Sequence, residues 1–160
     1  MSDESERAAY MRRAVALAEE GMRDGHGGPF GAVIVRDGRV IGEGYNRVTS
    51  TNDPTAHAEI TAIRAACAAL GNFSLEGSEL YASCEPCPMC LSAIYWARIA
   101  RVFYAGTRAD AARIGFDDDL IYRELAQQAG ERAIPLVRVE VEGARSVFDA
   151  WEAKNDRIMY

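Results

Sequence analysis

The spacing of apolar positions divides the chain into alternating helices and strands. Apolar side chains recur at helical spacing from Glu4 to Arg23, and the glycines in 25–28 end that pattern. Two apolar strands follow, Ala32–Arg36 and Val40–Tyr45, joined by Asp37-Gly38, a dipeptide typical of a tight hairpin turn. The first part of the chain is therefore predicted to form a helix and then an antiparallel hairpin.

The rest of the chain continues this alternation. The predicted elements are a helix introduced by Asp53-Pro54-Thr55 and ending near Gly71, a strand Glu79–Ser83, a helix Pro88–Ala97, a strand Arg101–Ala105, polar helical segments, a fifth strand Pro135–Val141 and a last helix Phe148–Asn155. Helices between strands indicate parallel pairing, and the hairpin adds an antiparallel pair. We expect a single α/β domain over residues 1–160, with a mixed five-stranded sheet between helical layers.

Two short motifs carry metal-binding chemistry. They are His57-Ala58-Glu59 and Pro86-Cys87-Pro88-Met89-Cys90. One imidazole and two thiolates can hold zinc, and a catalytic zinc keeps its fourth position for water whereas a structural zinc has four protein ligands. The pattern H-x-E with P-C-x-x-C is that of zinc nucleobase deaminases, in which the glutamate transfers protons without binding the metal. The motifs predict a zinc site at His57, Cys87 and Cys90, with Glu59 as acid and base.

The positions of these residues on their helices bear on the chemistry. Cys87 and Cys90 stand three apart, so at the start of a helix both sulfurs lie on one face. Free backbone N–H groups at a helix N-terminus also favour the thiolate. Glu59 lies two residues from His57, and residues two apart on a regular helix point to different sides. The first turn must therefore bring Glu59 to the metal site.

A structural zinc site is the alternative interpretation. Its fourth ligand would be Cys84, Cys67 or His26. Cys84 lies three residues before Cys87, but Pro86 intervenes and the H-x-E motif would have no role. Cys67 falls on the apolar side of a predicted helix, and His26 lies in a glycine-rich turn. A binding module with structural zinc is therefore less favoured than a catalytic zinc site.

Composition and charge narrow the class of partner. The chain has 160 residues, 49% of them hydrophobic and 26% charged, as in a single globular domain. The net charge of −6, without a visible basic stripe, favours a small-molecule substrate over nucleic acid. No apolar run is long enough to cross a bilayer, and the polar start does not resemble a signal peptide. We expect no membrane partner and a cytoplasmic location.

Five segments carry a family resemblance over nearly the whole chain. They are residues 27–35 (GGPFGAVIV), 52–59 (NDPTAHAE), 83–90 (SCEPCPMC), 93–98 (AIYWAR) and 115–118 (GFDD). On these segments the sequence resembles the cytidine deaminase-like superfamily, and within it the bacterial guanine deaminases. The zinc motif identifies the superfamily alone. The Tyr95-Trp96 pair, the segment 115–118 and the C-terminal tyrosine point to guanine.

The resemblance implies a function and a set of site residues. It implies a three-layer α/β/α fold, one Zn²⁺ per chain, and hydrolysis of guanine to xanthine and ammonia. It assigns catalysis to Glu59 and Asp118, zinc binding to His57, Cys87 and Cys90, and substrate contacts to Phe30, Asn46, His57, Ala58, Trp96 and Tyr160. It also implies a homodimer in which Tyr160 reaches the active site of the partner subunit.

Each of these roles has a plainer alternative. Phe30 and Trp96 could be core residues, Asn46 a turn former, and Asp118 a helix cap. The substrate could instead be guanosine, cytosine, a triazine or tRNA adenosine.

The C-terminal tail has an apolar composition that is unusual for a terminus, with Phe148, Trp151, Ile158, Met159 and Tyr160. Such a tail either exchanges between protomers or docks on its own subunit.

Overall fold

The structure, a computed structural model, describes residues 2–160. The chain divides into two compact units, one ending at Asp118 and the other comprising Asp119–Tyr160. The first unit contains α1 (Glu4–Arg23), β1 (Gly31–Arg36), β2 (Arg39–Tyr45), α2 (Val48–Thr51), α3 (Ala58–Leu70), β3 (Glu79–Cys84), α4 (Pro88–Trp96), β4 (Arg101–Gly106) and α5 (Arg108–Arg113). The second contains α6 (Asp119–Ala126) and α7 (Ser146–Ala153). The predicted helices and the first four predicted strands are confirmed, and the four-residue helix α2 was not predicted.

The four strands form one mixed sheet in the order β2-β1-β3-β4. The central strand β1 is antiparallel to both β2 and β3, whereas β3 and β4 are parallel. The parallel pair is joined through α4, as expected for a helix lying between two parallel strands. The turn at Asp37-Gly38 has positive φ at both residues, +51° and +72°, as a tight two-residue hairpin requires.

Helices cover both faces of this sheet. On one face Ala32 and Ile34 of β1 pack with residues of α3 and α4; on the other, Val33 and Val35 pack against α1, which contributes Leu17. Because successive side chains of a strand point to opposite faces, a strand buried on both sides reads as the continuous apolar run seen in β1. The expected three-layer α/β/α arrangement is confirmed in the first unit.

Helix α3 lies unusually close to β2 because the facing residues are small. A Cβ added to Gly42 would lie 2.5 Å from the carbonyl oxygen of Ala62, and one added to Gly44 would lie 2.6 Å from the carbonyl oxygen of Ala58. Ala62 and Ala66 of α3 are completely buried in this contact layer. Backbone therefore packs directly on backbone, and this contact sets the position of the helix that begins after His57.

The prediction of a fifth strand at Pro135–Val141 is wrong: residues 135–141 join no sheet in the described part of the chain. The alternation that motivated the prediction is real, since Arg138 and Glu140 are ion-paired at 2.9 Å on one side. Val137, Val139 and Val141 are 79%, 78% and 67% exposed. An alternating segment becomes a strand only when another strand supplies the hydrogen-bonding ladder.

The second unit is stabilised mainly by polar contacts near its middle. The guanidinium of Arg132 donates to the carbonyl oxygens of Glu124 and Gln127, and the Glu124 carboxylate accepts the N–H of Ala133. Many of its apolar side chains are exposed, including Phe148 at 75% and Ile158 at 68%. This unit buries little apolar surface of its own.

None of the helices formed by residues 2–160 has the length and apolar character needed to span a membrane.

The close packing of α3 on β2 can be tested with Gly44→Ala. The added methyl group must displace the helix backbone, so we expect a loss of about 1–3 kcal/mol in the free energy of unfolding, measured by urea denaturation. Gly130→Ala is the matched control, because a Cβ there meets no atom within 4 Å; it should change stability by less than about 0.5 kcal/mol. Equal stability of the two variants would contradict this account of the contact.

Candidate active site

The two zinc motifs lie at the starts of two helices. His57 is the N-cap residue of α3 and Cys87 is the N-cap residue of α4, and both have extended backbone conformations. Neither side chain makes a capping hydrogen bond to its own helix. Pro88 occupies the first turn of α4, where a missing N–H costs nothing. Both side chains are therefore available to a shared ligand.

The ligand atoms of His57, Cys87 and Cys90 converge. Nδ1 of His57 lies 3.5 Å from Sγ of Cys87 and 3.5 Å from Sγ of Cys90, and the three atoms lie within 4.8 Å of one another. A tetrahedral zinc ion with bonds of about 2.3 Å to sulfur and about 2.0 Å to nitrogen separates those atoms by about 3.5 Å. One imidazole and two sulfurs in this arrangement fit zinc.

The protonation of the three ligands is coupled. Hydrogen bonding from Cys90, and then from His57, outweighs burial and lowers the pKa of the Cys87 thiol to about 4. Cys90 shares that hydrogen bond as donor, which together with burial raises its pKa. The hydrogen bond to Cys87 also raises the pKa of His57. A zinc ion must displace the remaining protons, so binding releases protons to solvent.

Glu59 lies beside the ligand atoms without joining them. Its side chain is only 7% exposed, and burial is the main reason that its pKa is raised. The neighbouring Cys90 thiol and the charge of His57 lower this pKa, whereas the charge of Cys87 raises it. The first turn of α3 thus places the Glu59 carboxyl group within electrostatic range of the three ligand residues. A buried carboxyl group with a raised pKa is suited to accepting and returning a proton.

No fourth protein ligand accompanies these three within residues 2–160. Sγ of Cys84 donates to the carbonyl oxygen of Thr107, and Sγ of Cys67 donates to the carbonyl oxygen of Phe73. The ring of His26 stacks on Tyr45, with centroids 5.1 Å apart. All three alternative ligands of the structural-zinc interpretation thus make other contacts.

Asn46 lies directly after β2 and is 4% exposed. Its Oδ1 accepts hydrogen bonds from the backbone N–H groups of Gly28 and Val48, at 3.3 and 3.1 Å. Two N–H donors aimed at one atom identify that atom as the amide oxygen. Asn46 is therefore a loop-stabilising residue whose side-chain oxygen is occupied by two backbone donors.

Phe30, Phe116 and Asp118 belong to two segments that meet in the first unit. Phe30 immediately precedes β1, and its ring meets that of Phe116 edge to face, with centroids 5.0 Å apart. Asp118 is half-buried, and this burial raises its pKa; the negative charge of Cys87 acts in the same direction. Asp118 is thus within electrostatic range of the ligand set.

The remaining predicted residues have different surroundings. Ala58 is buried at the first position of α3, next to His57. Trp96 ends α4 and is 67% exposed, so it is not a core residue. Tyr160 belongs to the second unit and is 70% exposed.

Sequence reasoning did not assign a role to Phe116 or to Gly28. The segment 115–118 was recognised as family-like, but the phenylalanine in it carries no chemical group that would distinguish it from a core residue. Gly28 belongs to the glycine-rich segment that predicts the end of the first helix. Only the contact between distant segments reveals that both residues adjoin the site.

The chain matches the model of the cytidine and deoxycytidylate deaminase zinc-binding region over residues 4–106. It is 58% identical to guanine deaminase of Bacillus subtilis over 142 residues, which cover 89% of this chain and 91% of that protein. It is 50% identical to a tRNA-specific adenosine deaminase of Agrobacterium fabrum over 101 residues, 62% of this chain and 65% of that protein.

The crystal structure of guanine deaminase from Bacillus subtilis superposes with a TM-score of 0.93 at 53% identity and covers 99% of both chains. The match therefore includes the second unit as well as the zinc-binding region. The chain belongs to the zinc-binding family of cytidine and deoxycytidylate deaminases, and within that family it is similar to guanine deaminase over its whole length.

Proposed function

We propose that this protein is a zinc-dependent guanine deaminase that converts guanine and water to xanthine and ammonia. The observation that carries the proposal is the whole-length likeness to the Bacillus subtilis enzyme, at 99% coverage of both chains. The likeness to the tRNA-specific adenosine deaminase of Agrobacterium fabrum covers 62% of this chain, and the one of Bacillus subtilis, which covers 87% of it, is only 32% identical. The net charge of −6 also favours a small base over a polyanion.

His57, Cys87 and Cys90 would hold the zinc ion, which when bound supplies Lewis-acid activation of the attacking water near neutral pH. The donor set supports this assignment, since two sulfurs and one imidazole nitrogen already lie at separations that suit the ion. The N-termini of α3 and α4 both face the site, and their positive ends favour the negative charge of the sulfurs.

Glu59 carries protons in the proposed reaction. Its carboxylate takes a proton from the attacking water and delivers it to N3 of guanine while the water oxygen adds to C2. The Glu59 carboxylate then takes the proton of the new C2 hydroxyl, and Glu59 or Asp118 protonates the amino nitrogen. The amino group leaves as ammonia while the C2–O bond becomes the carbonyl of xanthine. Burial of Glu59 supports this role, because a raised pKa brings the carboxyl group nearer to the working pH.

Asn46 would orient the base. With Oδ1 occupied by two backbone N–H groups, the side chain can offer only its N–H₂ donors to the substrate. Guanine has acceptors on its edges, at O6 and at ring nitrogens, that such a donor can meet. Phe30 and Trp96 would supply aromatic surface, and His57 and Ala58 would contact the base beside the metal.

The C-terminal tail would complete the site across a homodimer. All 160 residues would then act as one deaminase domain whose tail is exchanged, placing Tyr160 at the active site of the partner subunit. Two features of the second unit support exchange: its alternating valines at 137, 139 and 141 have no ladder, and its apolar side chains at 148, 158 and 159 are 75%, 68% and 68% exposed. Extended segments without a pairing partner and exposed apolar surface favour association with another chain.

The function is tested by measuring ammonia release from a panel of substrates with zinc-replete protein. We expect guanine to give equal amounts of ammonia and xanthine. Guanosine should react far more slowly, because a pocket shaped for the free base clashes with a ribose on N9. Activity on tRNA adenosine but on no free base would refute the substrate assignment.

The roles of Glu59 and the metal ligands are separated by two variants. Glu59→Gln should retain zinc and lose about 10²–10⁴-fold in turnover, since it removes proton transfer without removing a ligand. His57→Ala should lose zinc as well, as measured by metal analysis. Glu76→Gln, at an exposed glutamate, is the control and should resemble the wild type. Equal zinc loss in Glu59→Gln and His57→Ala would show that Glu59 is a ligand.

The exchanged tail is tested by deleting residues 158–160. The truncated protein should keep zinc but lose most turnover. Mixing it in equal amounts with full-length Glu59→Gln protein should restore about a quarter of the wild-type activity, because half of the dimers would be hybrids with one complete site each. No recovery after confirmed subunit exchange would place the tail in its own subunit.

A further inference from the structure

Phe116 makes its ring contact with Phe30, a residue distant in the sequence but in the same unit. The rings of Phe30 and Phe116 have centroids 5.0 Å apart and planes at 90°, an edge-to-face arrangement. Such an arrangement places the positive edge of one ring against the negative face of the other, so it favours one orientation of the pair. The contact therefore fixes direction as well as distance.

Both rings rest on Gly28. A Cβ added there would lie 3.0 Å from Cζ of Phe116 and 3.0 Å from Cε2 of Phe30, which is tighter than ordinary side-chain contact. The same residue donates its backbone N–H to Oδ1 of Asn46. The aromatic pair, the glycine and the asparagine thus form one contiguous group, which we call the aromatic clasp (Gly28, Phe30, Asn46 and Phe116).

Phe116 connects this clasp to Asp118. The two residues lie in one short segment after α5, which begins with the backbone N–H of Phe116 donating to the carbonyl oxygen of Ala111 at 3.0 Å. Gly115 has a φ of +96°, so the chain turns sharply just before the phenylalanine. Asp118 follows two residues later, half-buried and within electrostatic range of Cys87. The place of Asp118 depends on how this segment is held against the rest of the unit.

We propose that Phe116 is a positioning residue, which holds Asp118 at the substrate through its edge-to-face contact with Phe30 over Gly28. This inference rests on the proposed guanine deaminase activity for its kinetic consequence. Phe116 is 47% exposed and contributes little to the core, so its main effect is on geometry. A displacement of a reacting group by about 1 Å can cost about 100-fold in rate.

The kinetic test uses Phe116→Ala with a matched control. We expect kcat for guanine to fall by about 10- to 100-fold, with zinc content and melting temperature close to those of the wild type. Phe73→Ala is the control, because Phe73 is 46% exposed and lies in the same unit outside the clasp; it should leave kcat unchanged. An equal fall in both variants, or no fall in Phe116→Ala, would overturn the proposal.

A double-mutant cycle tests whether Phe116 acts through Asp118. If it does, Asp118→Asn should lower kcat strongly in the wild type and only slightly in the Phe116→Ala background. Fully multiplicative effects would show that the two residues act independently and would overturn the proposal. So would an Asp118→Asn variant with normal kcat.

Hydrogen exchange supplies a readout that needs no activity. Backbone amides of 27–30 and 115–118 should exchange faster together in Phe116→Ala, and also in Phe116→Leu, which keeps apolar volume but lacks a ring edge. Faster exchange in 115–118 alone would overturn the clasp. A wild-type protein inactive on guanine would instead refute the proposed function and leave this measurement to decide on the clasp by itself.

Discussion

The direct packing of α3 on β2 is the contact on which the active site depends. Gly42 and Gly44 have no side chain, so the backbone of β2 can pack directly on the backbone of α3. Ala62 and Ala66 of α3 are completely buried in this contact. A larger side chain at any of these positions would displace α3 and move its N-cap residue, His57. Because interiors are close-packed, such a shift is not absorbed elsewhere and is transmitted to the ligand set.

The second constraint is that two helices begin at one point. His57 and Cys87 take N-cap positions without capping their helices, although Ser, Thr, Asp or Asn would stabilise such positions by about 0.5–2 kcal/mol. The ligand atoms of both side chains converge instead with Sγ of Cys90, in an arrangement that fits zinc. The positive ends of two helices at this point favour thiolate over thiol, which is the form that zinc binds.

Local sequence patterns predicted where the backbone is extended, but they did not predict which extended segments pair into a sheet. The alternation at 135–141 predicted extended backbone, and the ion pair between Arg138 and Glu140 agrees with it. Whether such a segment becomes a strand depends on a neighbour that sequence spacing does not specify. The hairpin at Asp37-Gly38 was predictable for the opposite reason, since both of its strands and its turn are adjacent in the chain.

The sequence by itself determined the chemistry of the metal site and the layered α/β fold of the first unit. The metal site is predictable because few kinds of site use one histidine, one glutamate and two cysteines at the spacing of His57, Glu59, Cys87 and Cys90. The helices and strands are predictable because apolar periodicity is a local property of each element. The tertiary structure decided what depends on contacts between distant segments. It showed that the side-chain oxygen of Asn46 accepts hydrogen bonds from the backbone N–H groups of Gly28 and Val48. It also showed the contact between Phe116 and Phe30. The sequence around either ring does not indicate which residue it contacts.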